Sequence, residues 1–116
     1  EFLPPEEIRT LKSVAREYDL DREQTAILLA IRRFENGPAG LELGVGQDIP
    51  DHPARRFEDD PDASLRLQAQ WAAGTIAKRY GQKRDLTAFA KRYCPKNSEN
   101  WESAIRSIMR QAYRYV

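Results

Sequence analysis

The chain has 116 residues, with 19 lysines and arginines against 18 aspartates and glutamates. A chain of this length is expected to form one domain, residues 1–116, that buries roughly two thirds of its unfolded surface, and its near-zero net charge argues against nucleic-acid binding, which demands a basic excess. A single cysteine, Cys94, and a single histidine, His52, exclude an intrachain disulfide and any cysteine-based or multi-histidine metal site, so neither metal nor cofactor is expected, and no apolar run reaches membrane-spanning length. The first helix is predicted over about residues 5–18. Pro4, Pro5, Glu6 and Glu7 suit a helix start, and Ile8, Leu11, Val14, Ala15 and Tyr18 recur at helical spacing. Asp19 or Asp21 opens the second helix, and Asp21 with Gln24 resembles a capping box. From Ala26 to Phe34 this helix is apolar nearly all round until Arg32 and Arg33, the mark of a buried central helix. Residues 36–61 change character: Gly37, Gly40, Gly44 and Gly46 crowd together, and Pro38, Pro50, Pro53 and Pro61 break any helix. This long irregular segment holds Leu41-Glu42-Leu43-Gly44-Val45, whose alternation allows a short strand or hairpin. Asp62 is read as the cap of a third helix over about 63–80, ended by Gly81. Asp85 caps a short fourth helix stopped by Pro95, and Asn97 or Ser98 opens a fifth carrying Trp101, Ala104, Ile105, Ile108, Met109 and Ala112. The fold class is therefore mainly α, about five helices around a buried second helix, with a long loop or small β-hairpin after it.

Glu35 stands where the central helix runs out, four residues after Ile31 and seven after Leu28. Side chains at those spacings share one face, so its carboxyl continues an apolar stripe. Gly37 follows, where a helix commonly ends in a left-handed turn. Burial and the negative end of the helix dipole both disfavour the anion and raise the carboxyl above its reference of about 4.3. A carboxylic acid that keeps its proton near neutral pH is what general acid catalysis of glycoside cleavage requires.

A buried helix ending in Glu, then glycine-rich chain, then a Gly-x-x-Gln element resembles the lysozyme-like superfamily of lytic transglycosylases, goose-type lysozymes and endo-β-N-acetylglucosaminidase-like domains. Ala30 to Val45 is similar to the helix and loop of phage and bacterial members, and Gly44-Val45-Gly46-Gln47 resembles the Gly-Leu-Met-Gln element of transglycosylases. Phe89-Ala90-Lys91-Arg92-Tyr93-Cys94-Pro95 and Asn100-Trp101 are similar to the tyrosine-containing turn and last helix of such domains, so the resemblance spans about residues 22–112. It departs from the family pattern at Gly46, where a hydrophobic residue usually precedes the Gln.

The resemblance implies cleavage of the β-1,4 bonds of peptidoglycan glycan strands, with Glu35 as catalytic acid, Gln47 contacting substrate and Tyr93 lining the cleft. Candidates for a second carboxylate are Glu42, Asp48, Asp51 and the Glu58-Asp59-Asp60 run, with Asp48 and Asp51 preferred. The substrate's N-acetyl group or a sugar 6-hydroxyl are alternatives to it. Asn36 and Trp101 join Gln47 and Tyr93 as candidates for sugar contact, with Trp71 or Tyr80 contributing from the third helix. Peptidoglycan or chitooligosaccharide is the expected partner. The cell envelope, the extracellular space or a virion is the expected location, for a domain excised from a longer chain.

Blander readings stand beside these. Glu35 is also readable as a solvated helix end, Trp101 as core packing, Gln47 as a loop hydrogen-bonder and Glu58-Asp59-Asp60 as a solvated turn. His52 is expected to be exposed, Cys94 to be a small buried hydrophobe and the arginine and lysine pairs to be ordinary solvated faces. Competing functions are a non-catalytic lysozyme-like glycan-binding or structural module and an unrelated helical protein-interaction domain.

Overall fold

The computed structural model describes residues 1–116 as five α-helices: α1 (Pro5–Glu17), α2 (Arg22–Glu35), α3 (Pro61–Thr75), α4 (Leu86–Tyr93) and α5 (Ser98–Ala112). Single turns at Pro53–Arg55, Pro95–Asn97 and Tyr113–Tyr115 are 3-10 helical, and Ile76–Tyr80 extends α3 as a π turn. There is no β-strand.

Local chemistry accounts for most of the boundaries. The Asp21 carboxylate accepts the Gln24 backbone N–H at 2.9 Å, and the Gln24 side chain accepts the Asp21 N–H at 3.0 Å, which closes the capping box of α2. Arg84 pairs with both Asp21 and Glu23 at this end and holds the Asp21 carboxyl below its ordinary range. Tyr80 donates to Glu23 at 2.9 Å, and burial together with that carboxylate pushes its phenol up to about 12. Asp85 caps α4 by accepting the Ala88 N–H at 3.0 Å. The third helix begins earlier than predicted: Asp60, not Asp62, accepts the Ala63 N–H at 3.3 Å, because Pro61 takes the first helical position, where its missing N–H costs nothing.

α2 is the central element. Every residue from Gln24 to Ile31 is buried, so more than two full turns have no solvent face. The helix packs along α5 and against α1, while α1 lies on α3 and α4 on α5, around one core cluster of 24 buried residues. Phe34, placed by its spacing on the apolar surface, is instead 41% exposed, because the end of α2 emerges from the core there.

The expected strand or hairpin at Leu41–Val45 does not form. Gly40, Gly44 and Gly46 hold φ values of +94°, +76° and +76°, which bend the chain out of extended geometry. The N–H groups of Leu43 and Val45 donate to the Gln68 side chain at 3.1 and 3.2 Å, leaving nothing to bond a partner strand. Gln68 is fully buried, and its amide nitrogen also donates to the carbonyls of Gly40, Val45 and Ala54. Beside it the buried Glu42 carboxylate accepts from the Gly40 N–H and the Ser64 hydroxyl. Two α3 side chains thus hold the loop in one conformation.

Candidate functional site

The left-handed residue that ends α2 is Asn36, at φ 46°, one position before the glycine expected to fill that role. Its N–H bonds the Arg32 carbonyl at 3.0 Å. Gly37 is required for a different reason: a Cβ there would collide with the Leu41 carbonyl oxygen. Arg32 secures this corner from the other side. Its guanidinium pairs with Glu7 of α1 at 2.7 Å and donates to the carbonyls of Gly37 and Glu42 at 3.1 and 3.2 Å. The loop therefore folds back over the last turn of α2.

This return brings Gly44 onto the Glu35 carboxyl. A Cβ built at Gly44 would lie 3.0 Å from the carboxyl carbon and from one of its oxygens, so a methyl there would push the carboxyl aside by a few tenths of an ångström. From below, the Trp101 indole N–H donates to Glu35 Oε2 at 3.1 Å. Trp101 is 1% exposed and belongs to the core. Its ring stacks on Tyr93 at a centroid distance of 5.1 Å, with Phe89 6.0 Å away. Tyr93 in turn donates its hydroxyl to the Leu43 carbonyl at 2.8 Å, tying the end of α4 to the loop.

Electrostatics follow from this enclosure. Glu35 is half-buried, and loss of water around the anion raises its pKa; the Trp101 N–H favours the anion and offsets part of that rise. Burial raises the Tyr93 phenol strongly, and the Glu35 charge nearby adds to it. The hydroxyl therefore stays a neutral donor.

A cleft of about 460 Å³ opens beside the pair. Gly44, Gly46, Gln47, Asp48 and Ile49 form one wall, and Tyr93, Cys94, Pro95 and Lys96 the other. Glu35 does not line this cleft; it lies against Gly44, which does.

The residues singled out from the sequence occupy different places. Glu35, Tyr93 and Trp101 converge, while Gln47 and Asp48 are exposed on the facing loop wall. Asn36 is exposed and serves as the helix end. Asp51 is exposed on a turn and does not line the cleft. Trp101, read both as core packing and as a candidate sugar contact, is buried and aims its one polar atom at Glu35. Glu42 is consumed by the loop anchor, Glu58 pairs with Arg55, and Asp60 caps α3. Cys94 is only partly covered and lies in the cleft wall, not in the core as expected. His52 is also partly covered: its ring meets Trp71 edge-on at 4.7 Å and accepts the Ala54 N–H.

Gly44, Gln68 and Arg32 were not singled out as parts of the site. Gly44 had a visible signal in the glycine-rich loop. The other two act through partners up to 28 positions away, which no local pattern reveals.

Set against family models, curated proteins and solved structures, the chain has no match in any of the three.

Proposed function

We propose that this chain cleaves the β-1,4-linked glycan strands of peptidoglycan, with Glu35 as general acid, in a lysozyme-like arrangement. The observation that carries the proposal is the Glu35 carboxyl itself. It is half-buried at the end of the central helix, its pKa is raised, and it lies against Gly44, one of the residues that line an open cleft. A carboxyl so shifted keeps its proton to higher pH than an ordinary one, the direction that donation to a departing sugar oxygen needs.

In the first step Glu35 gives its proton to the bridging oxygen. The bond from that oxygen to the anomeric carbon breaks, its electron pair leaves with the oxygen, and positive charge develops on the retained sugar. Glu35, now an anion, is stabilised by the Trp101 N–H at 3.1 Å. In the second step water or the sugar's own 6-hydroxyl adds to the anomeric carbon and gives up a proton. Glu35 accepts it in the anhydro-forming route. Asp48, the only carboxylate in the cleft walls, is the candidate to accept it in direct hydrolysis. The Tyr93 hydroxyl is engaged with Leu43, so its role is to position the loop and not to transfer protons.

Two measurements test the proposal. Loss of turbidity in cell-wall suspensions is expected to stop in Glu35→Gln, and an unchanged rate removes the acid role. Mass spectrometry of the digest identifies the new end: a free reducing sugar for hydrolysis or an anhydro ring for intramolecular attack. Intact glycan strands after prolonged digestion with the unmodified chain overturn the enzyme reading and leave a glycan-binding module.

A further inference from the structure

A second depression, of about 480 Å³, lies along α3 beside Tyr18 at the end of α1. Its walls carry the half-exposed rings of Trp71 (42% exposed) and Tyr18 (38% exposed). Apart from its edge contact with His52, Trp71 offers its ring to solvent, and neither its indole N–H nor the Tyr18 hydroxyl has a partner within the chain. Lys78 and Arg79 stand at one end of the groove, both exposed, and none of the six ion pairs of the molecule uses either of them. None of the groove's lining residues is shared with the cleft beside Glu35.

The floor is Gly74, inside the last turn of α3. A glycine inside a helix weakens it relative to alanine. Nothing in the fold demands one here: a Cβ at Gly74 would meet only the Tyr18 ring, at an ordinary 3.5 Å, and its φ is not in the left-handed region. The missing methyl group therefore does one thing, which is to deepen the groove between the two rings. A further depression of about 410 Å³ shares Tyr18 and Lys78 with this one and prolongs it toward Gln24 and Gln82. Asp19, Asp21 and Arg84 stand at that far end, where the Arg84 guanidinium is taken up by Asp21 and Glu23, so Lys78 and Arg79 are the cations left without a carboxylate partner.

We infer that this trough is a binding site, separate from the cleft, for a linear saccharide chain bearing carboxylates. Flat aromatic faces suit the apolar faces of sugar rings. The free indole N–H and hydroxyl suit sugar hydroxyls and amides, and the two unpaired cations suit a carboxylate at one end. A peptide is a poorer fit, because the groove has neither a sheet edge for its backbone nor a closed apolar pocket for an anchoring side chain. The inference rests on the glycan reading only in choosing which sugar chain to offer. Occupation of the trough holds the molecule on its polymer whether or not Glu35 is cutting.

The test uses the full chain carrying Glu35→Gln, so that the ligand survives titration. The chain has two tryptophans, so the indole N–H resonances of Trp71 and Trp101 report the trough and the Glu35 site separately. The probe is a tetrasaccharide of alternating N-acetylglucosamine and N-acetylmuramic acid with free lactyl carboxylates, and chitotetraose is the neutral control. The expected result is a saturable shift of the Trp71 resonance with the acidic tetrasaccharide. Affinity at this resonance falls by about tenfold with chitotetraose, in Trp71→Ala, and in the Lys78→Glu/Arg79→Glu double variant. It also falls in Gly74→Ala, which is expected to melt at a higher temperature than its parent, so that lost binding is not lost folding. The inference is overturned by a Trp71 resonance that does not respond, by equal affinity for the neutral and acidic sugars, by charge-reversed protein that binds as well as the parent, or by a polyphosphate that shifts Trp71 as strongly. The cleavage reading fails by a different result, the survival of wall-lysing activity in Glu35→Gln, which leaves the Trp71 titration unchanged.

Discussion

Trp101 and Glu35 are 66 positions apart in the chain and are joined by one hydrogen bond of 3.1 Å, from the indole N–H to a carboxylate oxygen. The bond turns a core residue into a regulator of acidity. Burial raises the Glu35 pKa and this donor lowers it, so the acid strength of the site is a balance between the hydrophobic interior and one buried N–H.

Replacing Trp101 by Phe keeps an aromatic ring and removes the donor. The Glu35 pKa then rises further, and the alkaline limb of the pH–rate profile moves to higher pH. The smaller ring costs about 1–2 kcal/mol of stability through imperfect filling of its site. The pH profile of wall lysis, compared with a urea titration of the same variant, separates the two effects.

Glu35→Gln is expected to lower the rate of glycan cleavage by about 100- to 10,000-fold, the range of a lost general acid. It has a second consequence, in stability. The pKa of Glu35 is raised in the folded chain, so its contribution to stability is fully present below the unfolded pKa and is lost as pH rises through the folded one. The unmodified chain therefore loses stability relative to Glu35→Gln on going from acid to neutral pH. Thermal unfolding of both proteins at pH 4 and pH 8 reads this directly; a constant difference in melting temperature contradicts it.

Gly44→Ala places a methyl group 3.0 Å from the Glu35 carboxyl carbon at a φ of +76°. The backbone penalty alone is about 1–2 kcal/mol. Either the loop or the carboxyl must also shift, so activity falls further than stability does. Alanine at Gly74 is the contrasting control, since it meets only an ordinary contact and gains helix propensity.

Gln68→Leu removes both acceptor and donor from the centre of the loop. The N–H groups of Leu43 and Val45 and the carbonyls of Gly40, Val45 and Ala54 all lose a partner. A loss of about 3 kcal/mol or more is expected from groups left unpaired. Amide hydrogen exchange should show the loss of protection concentrated between residues 37 and 55, with α2 and α5 less affected.

The helices were legible because their signals are short. Asp21 and Gln24 stand three positions apart and close the capping box they suggested, and Asp85 and Pro95 bound α4 as read. The half-buried place of Glu35 at the end of α2 was legible the same way, from its spacing behind Leu28 and Ile31. The loop was not legible, because its conformation is set from a distance. Leu43 bonds Gln68 across 25 positions and Tyr93 across 50. Alternating residues at Leu41–Val45 look like a strand until left-handed glycines and a buried amide turn each N–H elsewhere. The same remoteness concealed the polar use of Trp101: its spacing shows a core residue and cannot show where one nitrogen points.

Arg32 gives the molecule an unexpected dependency. Through this one guanidinium, α1 is fastened to the Gly37–Glu42 stretch of the loop that runs on into the cleft wall. Trimming the chain past Glu7 would strip the arginine of its counter-charge, and the loosening would reach the Gly37–Glu42 bend. α1 is therefore part of the clamp on the loop, though it contributes no residue to the cleft.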